Sequence, residues 1–131
     1  MTVPELIQAA TSARLRARAP FSRFQVGAAV EAASGVIFTG CNIENATYGL
    51  TLCAERVAVF KAVSEGESRF TRIAIVAETG ALTPPCGACR QILWEFCGDV
   101  EVILANLAGS TETIRLSALL PRPFDARFLE D

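Results

Sequence analysis

The segment TRIAIVAETGALTPPCGACRQILWEFCGDVEVILA, residues 71–105, decides the fold class of this 131-residue chain. Its first apolar run, 71–77, is typical of a buried strand, and a second run over 100–105 predicts a further strand. Between them, the prolines of a loop over 80–85 favour the start of a helix over 87–96, which Gly98 ends. A helix between two apolar strands implies a sheet covered by helices.

The residues before this segment predict two helices and a hairpin. The first helix, over 4–18, follows a Thr2 cap and ends before Pro20. Its apolar stripe has helical spacing and consists of Leu6, Ile7, Ala10 and Leu15. Strands over 24–32 and 36–44 flank a turn at Ser34-Gly35. A loop over 45–51 leads to the second helix, over 53–63.

After the segment, the sequence predicts a short strand over 111–115 and a helical turn that Ser117 caps before Pro121. The order of elements is therefore α-β-β-α-β-α-β-β. This order predicts an α/β fold, a three-layer α/β/α sandwich around a mixed five-stranded sheet. No linker or repeat divides the chain, so we predict one domain over residues 1–131.

Composition excludes several classes of function. Hydrophobic residues make up 51% of the chain and charged residues 20%, which excludes a disordered chain. The net charge of −2, without a basic block, argues against nucleic-acid binding. We expect no membrane association, because no apolar run reaches the ~18 residues of a membrane span. The chain has no histidine, which excludes Ser-His-Asp and Cys-His hydrolases and HExxH metalloproteases.

Three of the five cysteines fall at two predicted helix starts. Cys53 opens Cys-Ala-Glu-Arg, and Cys86 and Cys89 belong to Pro-Cys-Gly-Ala-Cys-Arg. A helix N-terminus favours the thiolate, and three convergent thiolates suit zinc, so we predict one zinc ion per chain. Three protein ligands leave the fourth tetrahedral position open, which is typical of catalytic zinc. An odd number of cysteines without a secretion signal favours a reducing, cytoplasmic location.

The CxxC pair alone is more often a structural zinc knuckle or a redox pair. Glu55, two residues after Cys53, changes that interpretation, because a thiolate-rich zinc needs a nearby proton acceptor. A ligand-x-Glu followed by Pro-Cys-x-x-Cys is the signature of the zinc nucleobase deaminases. Arg56 lies three residues after Cys53 and can moderate the charge of the thiolates.

With these motifs in place, the chain resembles the small, homotetrameric, three-cysteine cytidine deaminases. The resemblance covers nearly the whole chain, and Phe21 departs from the tyrosine usual in the family. The matching segments are 19–29, 40–49, 53–56, 85–91 and 119–124. The resemblance implies zinc-dependent hydrolysis of cytidine or 2′-deoxycytidine to uridine or 2′-deoxyuridine and ammonia, a step of pyrimidine salvage. It gives no preference between the two nucleosides.

The resemblance also implies roles for individual residues. Glu55 would move protons to the ring N3 and the departing amine, Phe24 would stack on the pyrimidine, and Ala54 would offer its N–H to the base O2. Asn42 and Glu44, two positions apart on a predicted strand, would hold the ribose 3′-hydroxyl. Three further positions approach the active site of a neighbouring subunit in the family's homotetramer: Ala46, Tyr48 and Phe124.

Three alternatives remain open from the sequence. The first is a deaminase of a related ring, such as blasticidin S, although the Asn42 and Glu44 pair favours a ribose-bearing substrate. The second is a zinc-binding module without catalysis, against which Glu55 beside an open zinc position argues. The third is a nucleic-acid editing deaminase, which the acidic chain without an evident basic groove disfavours.

Overall fold

The computed structural model describes residues 1–129. The predicted domain extends to residue 131, and its last two residues lie outside this range. The strands are β1 (Val26–Ala32), β2 (Ile37–Cys41), β3 (Phe70–Ala77), β4 (Glu101–Asn106) and β5 (Thr111–Arg115). The α-helices are α1 (Val3–Arg14), α2 (Ala54–Ser64), α3 (Gly87–Cys97) and α4 (Leu116–Leu119). Short 3₁₀ turns cover Tyr48–Leu50 and Ala126–Leu129.

The five strands form one mixed sheet in the order β2-β1-β3-β4-β5. Strands β3 and β4 pair in parallel, with Ala74 opposite Ile103, and α3 connects them. The other three pairs are antiparallel, and β1 and β2 form the predicted hairpin around a turn with Gly35 at φ +92°. Because the two strands of a parallel pair run in one direction, the crossover through α3 is required.

Helices cover both faces of the sheet, as the sequence predicts. On one face, Ala54 and Ala58 of α2 and Leu93 of α3 pack against Val30 and Ile75. On the other face α1 contributes a second buried cluster, whose members are Leu6, Ala10, Ala29, Ala74, Val76, Ile103 and Ala105. The three-layer α/β/α sandwich is confirmed. Because α2 and α3 lie on the same face, their cysteine-bearing N-termini can meet.

Two glycines allow helices to lie very close to the hairpin. A Cβ at Gly40 of β2 would lie 2.4 Å from the carbonyl oxygen of Ala54 at the start of α2. A Cβ at Gly27 of β1 would lie 1.9 Å from the carbonyl oxygen of Ala10 in α1. No side chain fits at such distances, so each helix packs directly on the strand backbone.

Several predicted boundaries are wrong in informative ways. Helix α1 ends at Arg14 rather than residue 18, and Leu15, predicted in its apolar stripe, is 69% exposed. The chain leaves the helix early because Arg18 pairs with the segment after β2: its N–H donates to the Asn42 carbonyl at 3.0 Å. In that segment Ile43 forms an isolated β-bridge with Arg18. The segment is therefore not the predicted continuation of β2, which ends at Cys41.

The predicted cap of the last helical turn is also wrong. Arg115 occupies the cap position of α4, and Ser117 lies inside the helix. The Ser117 N–H and hydroxyl both donate to the Asp99 carboxylate, at 2.7 and 3.0 Å. The carboxylate of Asp99, in the connection between α3 and β4, therefore satisfies an N–H of α4 that the sequence analysis assigned to a local cap. Within residues 1–129, no helix is both long and apolar enough to cross a membrane.

Candidate metal centre and substrate cavity

The three predicted cysteine ligands converge at the N-termini of two helices. Cys53 is the residue that caps α2, Cys86 caps α3, and Cys89 lies one turn into α3. Their three sulfur atoms lie within 4.8 Å of one another, and the Cys86 and Cys89 sulfurs are 3.4 Å apart. The parallel crossover places α3 beside α2, which explains how residues so distant in sequence meet.

The donor set fits a zinc ion. Zn–S bonds of 2.3 Å in a tetrahedron place sulfur atoms about 3.8 Å apart, close to the separations found here. A hydrogen bond from the Cys89 thiol lowers the pKa of Cys53 to about 7, whereas the same contact together with burial raises the pKa of Cys89. The Arg56 Nε is buried and has no hydrogen-bond partner among the described residues. Its nearby positive charge also lowers the pKa of Cys53.

A cavity of about 360 Å³ opens beside the sulfur cluster. This volume lies within the range of sites for small molecules. Cys53, Cys86 and Glu55 line it on the metal side, and Phe24, half-exposed, lines it together with Asn42 and Glu44. The remaining lining residues are Ser22, Val26, Thr51, Leu52, Ala54, Ile75, Thr83 and Pro84. The structure thus brings together seven of the predicted site residues around one cavity: Phe24, Asn42, Glu44, Cys53, Ala54, Glu55 and Cys86.

Glu55 is the buried acid of this cavity. It lies in the first turn of α2 and is only 4% exposed. Burial raises the pKa of its carboxyl above the ordinary value, because a charged carboxylate loses solvation there. A carboxyl with a raised pKa beside a metal can both accept and donate protons near neutral pH.

Asn42 and Glu44 line the cavity, although neither lies on a strand. The Asn42 Oδ1 accepts from the Val26 N–H at 2.9 Å, and its Nδ2 donates to the Phe24 carbonyl at 2.7 Å. Asn42 therefore fixes the backbone on both sides of Gln25. The predicted strand spacing was wrong, but both side chains still face the same cavity.

Ser22 is a cavity residue that the sequence interpretation missed. Its hydroxyl donates to Glu44 Oε2 and accepts from the Phe24 N–H at 3.0 Å. Glu44 Oε1 accepts from the N–H groups of Phe21 and Ser22, at 2.9 and 3.1 Å. These contacts, led by the Ser22 hydroxyl, lower the pKa of Glu44. A serine in an irregular loop carries no periodicity or motif of its own, so only the fold reveals this role.

Three predicted substrate positions are not among the residues that line the cavity, although Tyr48 lines an adjoining depression that shares Ser22 and Glu44 with it. Ala46 and Tyr48 are exposed on the loop after β2, and Tyr48 packs edge-on against Phe21 with ring centroids 5.9 Å apart. Phe124 lies on the C-terminal segment, is 56% exposed, and stacks on Phe128 at 5.6 Å. Their expected contribution to a neighbouring subunit stays a prediction.

Comparison with known proteins adds independent findings. Residues 2–106 match the family described as the cytidine and deoxycytidylate deaminase zinc-binding region. The chain is 52% identical to a cytidine deaminase of Halalkalibacterium halodurans over 96% of both chains. It is 50% identical to one of Sporosarcina psychrophila over 95% of this chain and 92% of that protein. The crystal structure of a Burkholderia pseudomallei cytidine deaminase matches with a TM-score of 0.92 and 46% identity, over 95% of this chain and all of that one.

Proposed function

Because the chain belongs to the cytidine and deoxycytidylate deaminase family, we propose that it hydrolyses cytidine and 2′-deoxycytidine to uridine and 2′-deoxyuridine, releasing ammonia. The observation that carries this proposal is the juxtaposition of three cysteine sulfurs and the buried Glu55 in one cavity. A structural zinc site would need a fourth protein ligand, and it would give no reason for a buried acid beside the metal.

Cys53, Cys86 and Cys89 would hold the zinc. Zinc held by three protein ligands lowers the pKa of water and so supplies a nucleophile at neutral pH. Glu55 would take a proton from the attacking water, deliver it to the ring N3, and pass the second proton to the departing amine. The water oxygen bonds to C4 as N3 takes its proton and the N3=C4 double bond becomes single; the exocyclic C4–N bond then breaks, C4=O forms, and ammonia leaves with the second proton. The burial of Glu55 supports this role, because the same group must accept and release protons within one turnover.

The walls of the cavity suit a pyrimidine nucleoside. The half-exposed Phe24 ring offers a stacking face for the base, and the N–H of Ala54 at the start of α2 would donate to its O2. We place Arg56 as the residue that moderates the negative charge of three thiolates. Its nearby charge already stabilises the Cys53 thiolate, which supports that placement.

The unused hydrogen-bonding groups of Asn42 and Glu44 support recognition of one sugar hydroxyl. Within the described residues, Glu44 Oε2 accepts one hydrogen bond, so one of its lone pairs stays available. Asn42 likewise uses one of its two Nδ2 hydrogens. One acceptor and one donor match a single hydroxyl that donates to Glu44 and accepts from Asn42. The ribose 3′-hydroxyl, common to both nucleosides, meets this requirement.

We further propose that the enzyme acts as a homotetramer in the cytoplasm and serves pyrimidine salvage. The exposed side chain of Phe124 supports shared active sites, because it does not line the cavity of its own chain. The exposed Tyr48 lines a depression that shares Ser22 and Glu44 with that cavity, where a neighbouring subunit could complete it. A reducing compartment would keep the three metal-binding thiols available.

An ultraviolet assay over a substrate panel tests the proposal. Cytidine and 2′-deoxycytidine should be deaminated, whereas cytosine should react far more slowly because it leaves the Asn42 and Glu44 pair without a partner. CMP should also be poor, because the described residues that line the cavity include no lysine or arginine to bind a phosphate and include the acidic Glu44. Efficient turnover of CMP or blasticidin S, with cytidine inert, would contradict the nucleoside assignment.

The metal is tested on the same protein. Metal analysis should give about one zinc per chain. Cys53→Ala, Cys86→Ala and Cys89→Ala should each lose both zinc and activity, whereas Cys97→Ala should keep both, because Cys97 packs against the apolar core. A fully active protein without zinc would refute the metal-dependent reaction.

A further inference from the structure

Three neighbouring side chains of α3 hold the C-terminal segment, residues 119–125, each at a different point. The Arg90 Nη1 donates to the Leu119 carbonyl at 2.7 Å, and the Gln91 Nε2 donates to the Phe124 carbonyl at 2.5 Å. The Trp94 Nε1 donates to the Asp125 carboxylate at 3.1 Å. Trp94 lies three residues after Gln91 and four after Arg90, so it is a neighbour of both on the helix surface and the three donors form one group. We propose that this group, the α3 clamp, positions the segment that carries Phe124.

The segment has little regular structure of its own to hold it in place. After Leu119, the last residue of α4, residues 120–125 lie between that helix and the last 3₁₀ turn, outside the sheet. Pro121 and Pro123 have no N–H to donate. Arg122 has φ +54°, a left-handed conformation that a residue with a side chain adopts only where its surroundings impose it. The contacts from α3 restrain the backbone on both sides of Arg122, at Leu119 and at Phe124.

The same clamp connects the segment to the metal centre. The Arg90 Nε donates to the Pro85 carbonyl at 2.8 Å, and Pro85 immediately precedes Cys86. One planar guanidinium therefore bonds the backbone before a metal ligand and the backbone at Leu119. The position of the C-terminal segment is therefore fixed relative to the start of α3, where the metal ligand Cys86 lies.

The direction of the Phe124 ring is then fixed from two sides. Gln91 holds its carbonyl, and the Phe128 ring stacks on it with an interplanar angle of 19°. Asp125, next in the chain, is bonded both by Trp94 and by the N–H and Nε of Arg127. An exposed aromatic held in this way loses little further freedom when it binds, which favours binding.

The functional part of this inference rests on the proposed function, in which Phe124 completes the site of a neighbouring subunit. Gln91 and Trp94 touch neither the metal nor the cavity of their own chain. They are therefore positioning residues. Weakening the clamp should impair substrate binding and leave the chemical step nearly unchanged.

The test is the double variant Gln91→Leu with Trp94→Phe, which removes two donors of the clamp and leaves Arg90, the contacts between Asp125 and Arg127, and the metal ligands intact. Amide hydrogen exchange over residues 122–129 should accelerate by about tenfold or more. KM for cytidine should rise about tenfold, while kcat changes less than about threefold and zinc content does not change. Glu95→Gln, an exposed change on the same helix, is the matched control and should resemble the wild type.

The outcomes separate the clamp from the proposed function. Unchanged exchange in the double variant would overturn the clamp. If Phe124→Ala raises KM but the double variant does not, the clamp does not position Phe124 and the inference fails. If Phe124→Ala itself leaves KM unchanged, the proposed role of Phe124 has failed, and the clamp is then judged by hydrogen exchange alone.

Discussion

Glu55 differs from the chain's other described acids because it combines deep burial with a position beside the sulfur cluster. We expect Glu55→Gln to fold and to retain zinc, since the amide keeps the shape of the side chain. It should lose several orders of magnitude in kcat, because an amide cannot move the two protons of each turnover. Steady-state kinetics with metal analysis tests this. Near-normal turnover would show that another group moves the protons.

Glu31, on β1, is a second buried carboxylate, but its role is structural. Arg72 donates to it through Nε at 2.9 Å and Nη2 at 2.8 Å, and the Thr71 hydroxyl donates at 2.6 Å. The Arg72 guanidinium beside it lowers the pKa of Glu31 from 4.5 to about 2. Because the folded-state pKa is the lower one, Glu31 contributes stability above about pH 4.5 and loses it as pH falls towards 2.

A variant series at several pH values tests this contribution. Glu31→Gln should lower the free energy of unfolding by about 1–3 kcal/mol at pH 7. The difference from the wild type should shrink between about pH 4.5 and 2. Urea unfolding followed by circular dichroism measures both values. Glu112→Gln, at an exposed position of β5, is the control and should show no difference at any pH; a gap independent of pH would contradict the assignment.

At the scale of elements, the contact between β2 and α2 sets the position of the helix that carries Cys53 and Glu55. Gly40→Ala would place a methyl group 2.4 Å from the Ala54 carbonyl oxygen and must push the start of α2 away from the sheet. We expect a loss of about 1–3 kcal/mol or more of stability, and a fall in kcat of the folded protein, because Cys53 and Glu55 move with the helix.

Gly27→Ala provides the comparison on the opposite face. Its Cβ would collide with α1, 1.9 Å from the Ala10 carbonyl oxygen, and α1 carries none of the predicted site residues. It should therefore destabilise the protein at least as much while sparing kcat at low temperature. Thermal unfolding and kinetics at 10 °C compare the two variants. Equal losses of kcat would show that the Gly40 contact has no special role in the site.

The elements and the metal centre were predictable because their signals are local. Apolar runs identify the strands, Gly98 ends α3 as predicted, and the cysteine spacing indicates the metal site. The end of α1 was not predictable, because its cause is the pairing of Arg18 with a distant segment. The same applies to Ser22, whose bond to Glu44 connects residues that the sequence alone does not bring together.

At the scale of the whole molecule, the decisive question is whether active sites are shared between chains. Phe124 is 56% exposed and lies outside the cavity of its own chain. In the proposed tetramer, a Glu55→Ala chain and a Phe124→Ala chain could together form a site with both side chains intact. After unfolding and joint refolding, the mixture should be more active than the sum of the separate variants.

Native mass spectrometry supplies the control for this complementation. It shows whether chains of the two variants have assembled together. Mixed assemblies without a gain in activity would mean that Phe124 acts within its own chain or only in packing. A gain in activity that appears only after mixing would support the shared site.

The separation of the cysteines along the chain has a consequence for biosynthesis. Cys53 leaves the ribosome before β3, and Cys89 leaves it only after β3 and the start of α3. Of the three metal ligands, a nascent chain therefore presents only Cys53 while β3, the central strand of the sheet, is being translated. Domains begin to fold in this order of emergence. We expect the hairpin and α2 to take shape before any metal is captured, so that zinc supply governs how quickly new molecules become active.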